Sequence, residues 1–311
     1  MEKKDIDRGY ATAYHGADPL GWKSGDLDYF TVPPHIYTPE EHDVWRALYK
    51  RQMGVLPGRA INQFMDSLST LGISQEKVPS YDEVNAILMK RTGWQAVPVP
   101  GFIPEEPFFE LLANRRFPVG NFLRKPDQMD YIQEPDIFHD LFGHIPILAD
   151  PVFANYMEAY GKGGMKATKL GAVEQLGRLY WYTVEFGLIR EQGKMHIYGA
   201  GILSSPSESV FSVESASPNR LRFDLKRMMH THVYIDDFQD TYFVIDDFQE
   251  MFDATKPDFT KVYEEVAKLP IIMPDEIVDG DKVITRGTGE YAVGARERRE
   301  ERLRKIQNGG G

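Results

Sequence analysis

Residues Leu179 to Ile189 read LYWYTVEFGLI, an eleven-residue apolar run with a single charge, Glu185. The run is too short to cross a membrane, which takes about 18 or more apolar residues. It therefore belongs in a protein core and carries its carboxylate there. An ionised carboxylate buried in such a place is costly unless a cation or strong donors compensate it. No Lys or Arg stands three or four residues away on either side, Arg190 is one residue out of register for helical pairing, and Tyr182 is the nearby donor. Something positive must meet Glu185.

A second apolar run, Pro135 to Leu148 (PDIFHDLFGHIPIL), contains His139 and His144. Residues five apart on a continuous α-helix lie about 140° apart around the axis, so the two imidazoles converge only if the helix ends between them. Gly143, with Pro146 close behind, predicts that ending: a helix carrying His139, a glycine break, and His144 just beyond it. For the pair alone, two satisfied histidines packed in a core is the commoner reading. Glu185 shifts the balance, because a metal held by His139, His144 and Glu185 satisfies all three groups at once. Two His and one carboxylate with open positions is the pattern of non-haem Fe(II) oxygenases. Zinc hydrolases use similar ligands, but their HExxH signature needs a spacing and a Glu that HDLFGH lacks. The chain has no cysteine, which excludes disulfides, thiolate catalysis and iron–sulfur ligation and leaves His and carboxylate as the metal ligands.

The remaining sequence reads as mainly α with minor β. Thr38-Pro39-Glu40-Glu41 is a helix start with the elements of a capping box, followed by an apolar face of Val44, Trp45 and Leu48. Ser80-Tyr81-Asp82-Glu83 repeats the device before Val84, Ile87 and Leu88. The prolines and Gly101 between Trp94 and Pro107 predict an apolar loop. A long helix is expected from about Val173 through Ile189, and Thr241 to Phe248 as a short strand running into a helix start. IDDFQ at Ile235 and Ile245 is one short recurrence, read as coincidence or two similar turns and not as a solenoid. ARERREERLRK near the C-terminus reads as a mixed-charge helix with a solvated face, ending in a disordered Gly309-Gly310-Gly311 tail. With 311 residues and 42% hydrophobic content the chain can bury a large core, and its net charge of -11 argues against a nucleic-acid partner. There is no signal-peptide pattern and no membrane span, so a cytoplasmic protein with no membrane partner is expected.

Three motifs in this order and spacing, PDIFHDLFGH, LYWYTVEFGL and IYGAGILSS, resemble the catalytic domain of the pterin-dependent aromatic amino acid hydroxylases, nearest to bacterial members that act on phenylalanine. The resemblance runs from about Thr38 to Ala254. It implies that family's catalytic-domain fold, with residues 1–37 as an N-terminal extension, 38–270 as the iron- and pterin-binding domain, and 271–311 as a C-terminal extension. It also implies Fe(II) on His139, His144 and Glu185, tetrahydrobiopterin as two-electron donor, and O₂ as oxidant. The expected reaction is hydroxylation of L-phenylalanine to L-tyrosine, a step of phenylalanine catabolism, by a monomer. A hydroxylase of tryptophan or tyrosine, or a non-catalytic metal-binding scaffold, stands as the alternative.

Individual positions follow from the same resemblance. Arg124 matches the arginine that grips the substrate carboxylate, a task suited to a bidentate guanidinium. Ser204 matches a serine near that carboxylate and the metal-bound His, and Trp181 matches a wall of the substrate pocket. Phe108 matches the phenylalanine that stacks on the pterin, with Phe109 as the competing candidate. Gly101 and Ile103 would line the same side, while Tyr180 and Asp140 would border the space between pterin and iron. The chain departs from animal members at Tyr131-Ile132-Gln133, where a Thr-Pro pair is expected, so that a threonine contact to substrate passes to Ile132 or to backbone. Asp136 is expected to orient a metal-binding His.

Overall fold

The computed structural model describes residues 21–130, 132, 134–235 and 237–298. The expected glycine tail, most of the N-terminal extension, the C-terminal part of the charged helix, and Tyr131 and Gln133 lie outside these residues.

Helix α1 (Pro39–Met53) starts as its sequence predicts. The Thr38 hydroxyl accepts from Glu41 N and the Glu41 carboxylate accepts from Thr38 N at 2.7 Å. It buries Trp45, Leu48 and Gln52, one stripe at helical spacing. Helices α2 (Asn62–Thr70) and α3 (Tyr81–Thr92) follow. Ser80 stands at the N-cap of α3 but makes no side-chain capping hydrogen bond, so the helix starts where expected without the expected capping box.

The proline-rich stretch after Trp94 is not all loop. Strand β1 (Gln95–Val99), helix α4 (Glu105–Ala113) and strand β2 (Arg116–Gly120) form a parallel strand–helix–strand unit. Pro98 is tolerated because the two-stranded sheet leaves β1 an open edge, and its carbonyl accepts from Val32 N. Next come a π-helical turn (Phe138–His144), α5 (Ile145–Leu148) and α6 (Pro151–Leu170). Helix α6 crosses α4 so closely that a Cβ on Gly164 would sit 2.1 Å from the Phe109 ring, and one on Gly161 2.3 Å from Ala113 N. Only glycine allows that approach.

The helix expected to run to Ile189 stops earlier. Helix α7 (Val173–Tyr180) passes into a second π-helical turn (Trp181–Glu185), after which Leu188 and Ile189 begin strand β3 (Leu188–Glu191). Strand β4 (Lys194–Ile197), helices α8 (Ala200–Leu203) and α9 (Pro206–Glu214), strand β5 (Asn219–Arg222) and helix α10 (Leu225–Met229) complete the middle of the chain. Strand β6 (Thr241–Ile245) then runs into α11 (Phe248–Ala254), capped by Asp247, as expected; α12 (Phe259–Val266) and β7 (Val283–Thr285) follow. The five-stranded sheet has the order β4-β3-β6-β5-β7, with β3, β6 and β5 parallel and the outer strands antiparallel. Every residue of β6 is buried, as expected of a central strand covered on both faces.

Residues 271–298 are built into this body. Beyond β7, Arg227 and Asp281 form a buried ion pair at 2.8 Å. Residues 290–298 are helical and dock through buried Ala295 and through Tyr291, whose ring stacks on Phe238 at 5.3 Å. The helix thus docks through its apolar residues, while Arg296, Glu297 and Arg298, the described charged residues of the run, stay exposed and form the solvated face expected of it.

Candidate metal centre

The two π-helical turns supply the ligands. Ile145 N donates to the carbonyl of Asp140, and Phe186 N to that of Trp181, each reaching five residues back. Such a turn stacks residues five apart. His139 and His144 consequently meet without the break expected at Gly143, and their Nε2 atoms lie 3.2 Å apart. Gly143 matters for packing instead, since a Cβ there would lie 3.0 Å from the Ala200 carbonyl oxygen.

Glu185 closes the triad, with Oε1 3.1 Å from His144 Nε2 and Oε2 3.5 Å from His139 Nε2. Tyr182 is not its partner; that hydroxyl donates to the His232 carbonyl, at 2.5 Å. The tautomer of His139 follows from Ser204. The Ser204 hydroxyl proton is committed to the Ala200 carbonyl at 2.8 Å, so Oγ accepts from His139 Nδ1–H at 2.9 Å and Nε2 is left with its lone pair. Bonds of about 2.1 Å at right angles place ligand atoms roughly 3 Å apart, so the spacing suits one ion. Among the described residues this is the one group of His and carboxylate side chains arranged to hold a metal.

Electrostatics agree. Burial pushes the Glu185 carboxyl up, but the charges of His144 and His139 and their hydrogen bonds outweigh it and hold it well below the usual carboxylate range. Burial pushes the His139 imidazole down, and the charge and hydrogen bond of Glu185 more than reverse this. Both shifts describe a site that draws positive charge to its centre.

Around the triad, Asp136 is fully buried and accepts four hydrogen bonds: from Arg124 N, Nε and Nη2 at 2.8–2.9 Å, and from His139 N at 3.0 Å. Burial pushes its carboxyl up, and the Arg124 hydrogen bonds and charge bring it below the ordinary value. Asp136 thus orients His139 through the backbone at the start of the helical turn, whereas the imidazole itself is held by Ser204. Asp140 accepts from Gly120 N at 2.7 Å. Burial pushes it up to about 6, against the opposing pull of His139 and His144.

The aromatic positions form a chain running away from the metal. His144 lies 4.8 Å from Phe117 and 6.3 Å from Tyr180, and Tyr180 lies 5.8 Å from Phe108 and 6.5 Å from Trp181. Trp181 stacks on Phe186 at 5.9 Å. Phe108 is half-buried, while Phe109 is buried in the crossing of α4 with α6. Gly101 packs against the Glu134 carboxylate, which accepts from Phe102 N, and Ile103 and Ile132 are half-buried loop residues that the structure does not tie to the triad. Sequence reasoning missed Phe117 and Gln52. The latter was signalled by its place in the stripe of Trp45 and Leu48, where a lone polar residue needs a buried partner.

A family model described as biopterin-dependent aromatic amino acid hydroxylase matches residues 20–269. Phenylalanine-4-hydroxylase of Ralstonia nicotianae is 59% identical over 258 residues, covering 83% of this chain and 82% of that protein. The Chromobacterium violaceum phenylalanine-4-hydroxylase is 54% identical over 266 residues, covering 85% and 90%. A crystal structure of the Chromobacterium violaceum phenylalanine hydroxylase with iron and phenylalanine bound matches with a TM-score of 0.79 at 52% identity, covering 84% of this chain and 95% of that one.

Proposed function

The chain belongs to the biopterin-dependent aromatic amino acid hydroxylases, and from that membership we propose that it hydroxylates L-phenylalanine to L-tyrosine, with O₂ and a reduced pterin, at Fe(II) held by His139, His144 and Glu185. The observation that carries the reading is the convergence of two imidazole Nε2 atoms and a carboxylate on one point, with the His139 tautomer set by Ser204. Iron, when bound, supplies the site for O₂ activation, with electrons from the pterin. The chain supplies position and exclusion of water.

Arg124 binds the substrate carboxylate through the N–H groups that Asp136 leaves available, chiefly on Nη1. Trp181 and Ile132 bound the pocket for the aromatic ring, and Ser204 adds its contact beside His139. Phe108 stacks on the pterin, Gly101 and Ile103 line the same side, and Asp140 and Tyr180 border the space between pterin and metal. The partial exposure of Phe108, against the burial of Phe109, supports the first of these assignments. Residues 38–270 carry this machinery, in a monomer of the cytoplasm; no helix among the described residues is long and apolar enough to cross a membrane.

The test is anaerobic loading of metal-free protein with Fe(II), followed by addition of tetrahydropterin, O₂ and each aromatic amino acid in turn. Tyrosine should form from phenylalanine faster than tryptophan or tyrosine is hydroxylated, and chelation should abolish it. Glu185→Ala should lose iron affinity and turnover together. Preferred turnover of tryptophan, or an iron-replete Glu185→Ala variant with near-normal activity, would overturn the reading.

A further inference from the structure

The last turn of α1 presents two consecutive side chains that reach in different directions. The Arg51 guanidinium donates from Nη1 to the Asp130 carboxylate at 2.7 Å and from Nη2 to the Met129 carbonyl. Both acceptors lie in the segment that leaves Arg124 and returns at Asp136, and that carries Ile132. The ends of this loop are fixed by the Arg124–Asp136 pair, and Arg51 fixes its middle. Gln52, 1% exposed, donates from Nε2 to the Leu203 carbonyl and to Ser209 Oγ at 3.3 Å. Leu203 precedes Ser204, the residue that holds His139 Nδ1.

We propose that Arg51 and Gln52 are positioning residues: Arg51 sets the loop over the substrate carboxylate, and Gln52 sets the Ala200–Ser204 turn that orients His139 on the metal. α1 is thereby a brace between the amino acid pocket and the iron site. An apolar side chain would fill the Gln52 position well, since Trp45 and Leu48 occupy the same buried face. A buried amide there is explained by what its two donors hold. Arg51, at the helix C-terminus, could have served the helix as any cation can; its two bonds to one loop give it a second role.

The inference rests on the phenylalanine reading for Arg51 and is independent of it for Gln52. Wild type, Arg51→Ala, Arg51→Lys and Gln52→Leu are compared as full-length chains, with steady-state kinetics for phenylalanine and tetrahydropterin and with Co(II) titration of the metal-free proteins. Arg51→Ala should raise KM for phenylalanine about fivefold while kcat, the pterin KM and Co(II) affinity stay within about twofold, and Arg51→Lys should recover part of the loss. Gln52→Leu should weaken Co(II) binding about fivefold or more and alter the visible spectrum of the bound cobalt. Gln52→Met serves in its place if the Leu variant does not fold. An unchanged phenylalanine KM in Arg51→Ala, or equal loss in every kinetic constant, overturns the Arg51 assignment. Unchanged cobalt affinity and spectrum in a folded Gln52 variant overturn the other. Wild-type protein that takes up Co(II) but, when loaded with Fe(II), leaves phenylalanine unreacted would defeat the functional reading, with the cobalt measurements still deciding Gln52.

Discussion

In the proposed reading Arg124 serves two partners, Asp136 and the substrate carboxylate, and one substitution should expose both. Arg124→Lys keeps a positive charge but replaces a planar fork with a point donor. It should raise KM for phenylalanine with the pterin KM little changed. Because Asp136 is fully buried and takes two of its four hydrogen bonds from that guanidinium, the variant should also lose about 1–3 kcal/mol of stability in urea unfolding. A stability equal to wild type would mean that Asp136 finds its donors elsewhere. Phe108 and Phe109 separate in the opposite sense. Phe109→Ala empties a site packed against Gly164 and should cost about 3–5 kcal/mol of stability, whereas Phe108→Ala should cost far less. If Phe108 stacks on the pterin, its loss should raise the tetrahydropterin KM by roughly two- to tenfold, for about 0.5–1.5 kcal/mol of stacking, with more pterin consumed per tyrosine formed. Paired assays of pterin oxidation and tyrosine production decide it, and a normal ratio in Phe108→Ala would remove that residue from the pterin site.

Among the elements, α9 contains a carboxyl that sets a pH dependence. Burial pushes Glu208 up to about 7, although the Tyr242 hydroxyl donates to it at 2.7 Å. The folded chain therefore keeps a proton that the unfolded chain releases near its ordinary value of 4.5. Stability contributed by the protonated form is present below that value and lost as pH rises toward 7, by up to about 3 kcal/mol. Glu208→Gln should match wild type near pH 5 and melt progressively higher than wild type by pH 8; parallel melting curves at both pH values would refute the assignment. Local signals were legible in sequence wherever a few adjacent residues decide the outcome, as at Thr38 and Glu41, or at the junction of β6 with α11. The π-helical turns were not, because one extra residue per turn leaves no mark in composition or periodicity. The convergence of His139 and His144 was thus expected from a break that does not exist. Pro98 hid β1, since a proline counts against a strand until the open edge is known. The triad itself was legible because Glu185 is so poorly placed without a cation.

For the molecule as a whole, residues 271–298 behave as part of one body. β7 pairs with β5, and Asp281 neutralises Arg227 in the interior. Ending the chain after Pro270 removes both and leaves a buried guanidinium uncompensated, so the truncated protein should lose about 3–5 kcal/mol of stability to urea. Unchanged stability would make the segment an appendage. The hydrogen bond from His139 to Ser204 joins residues 65 apart in sequence, and that from Gln52 to Leu203 joins residues 151 apart. Contacts of such separation carry a large loop-closure cost and are expected to form late. A metal ion should accordingly be a late guest, admitted to a nearly finished chamber, and should slow the departure of the native state more than it hastens its arrival, as unfolding and refolding rates with and without Fe(II) would measure.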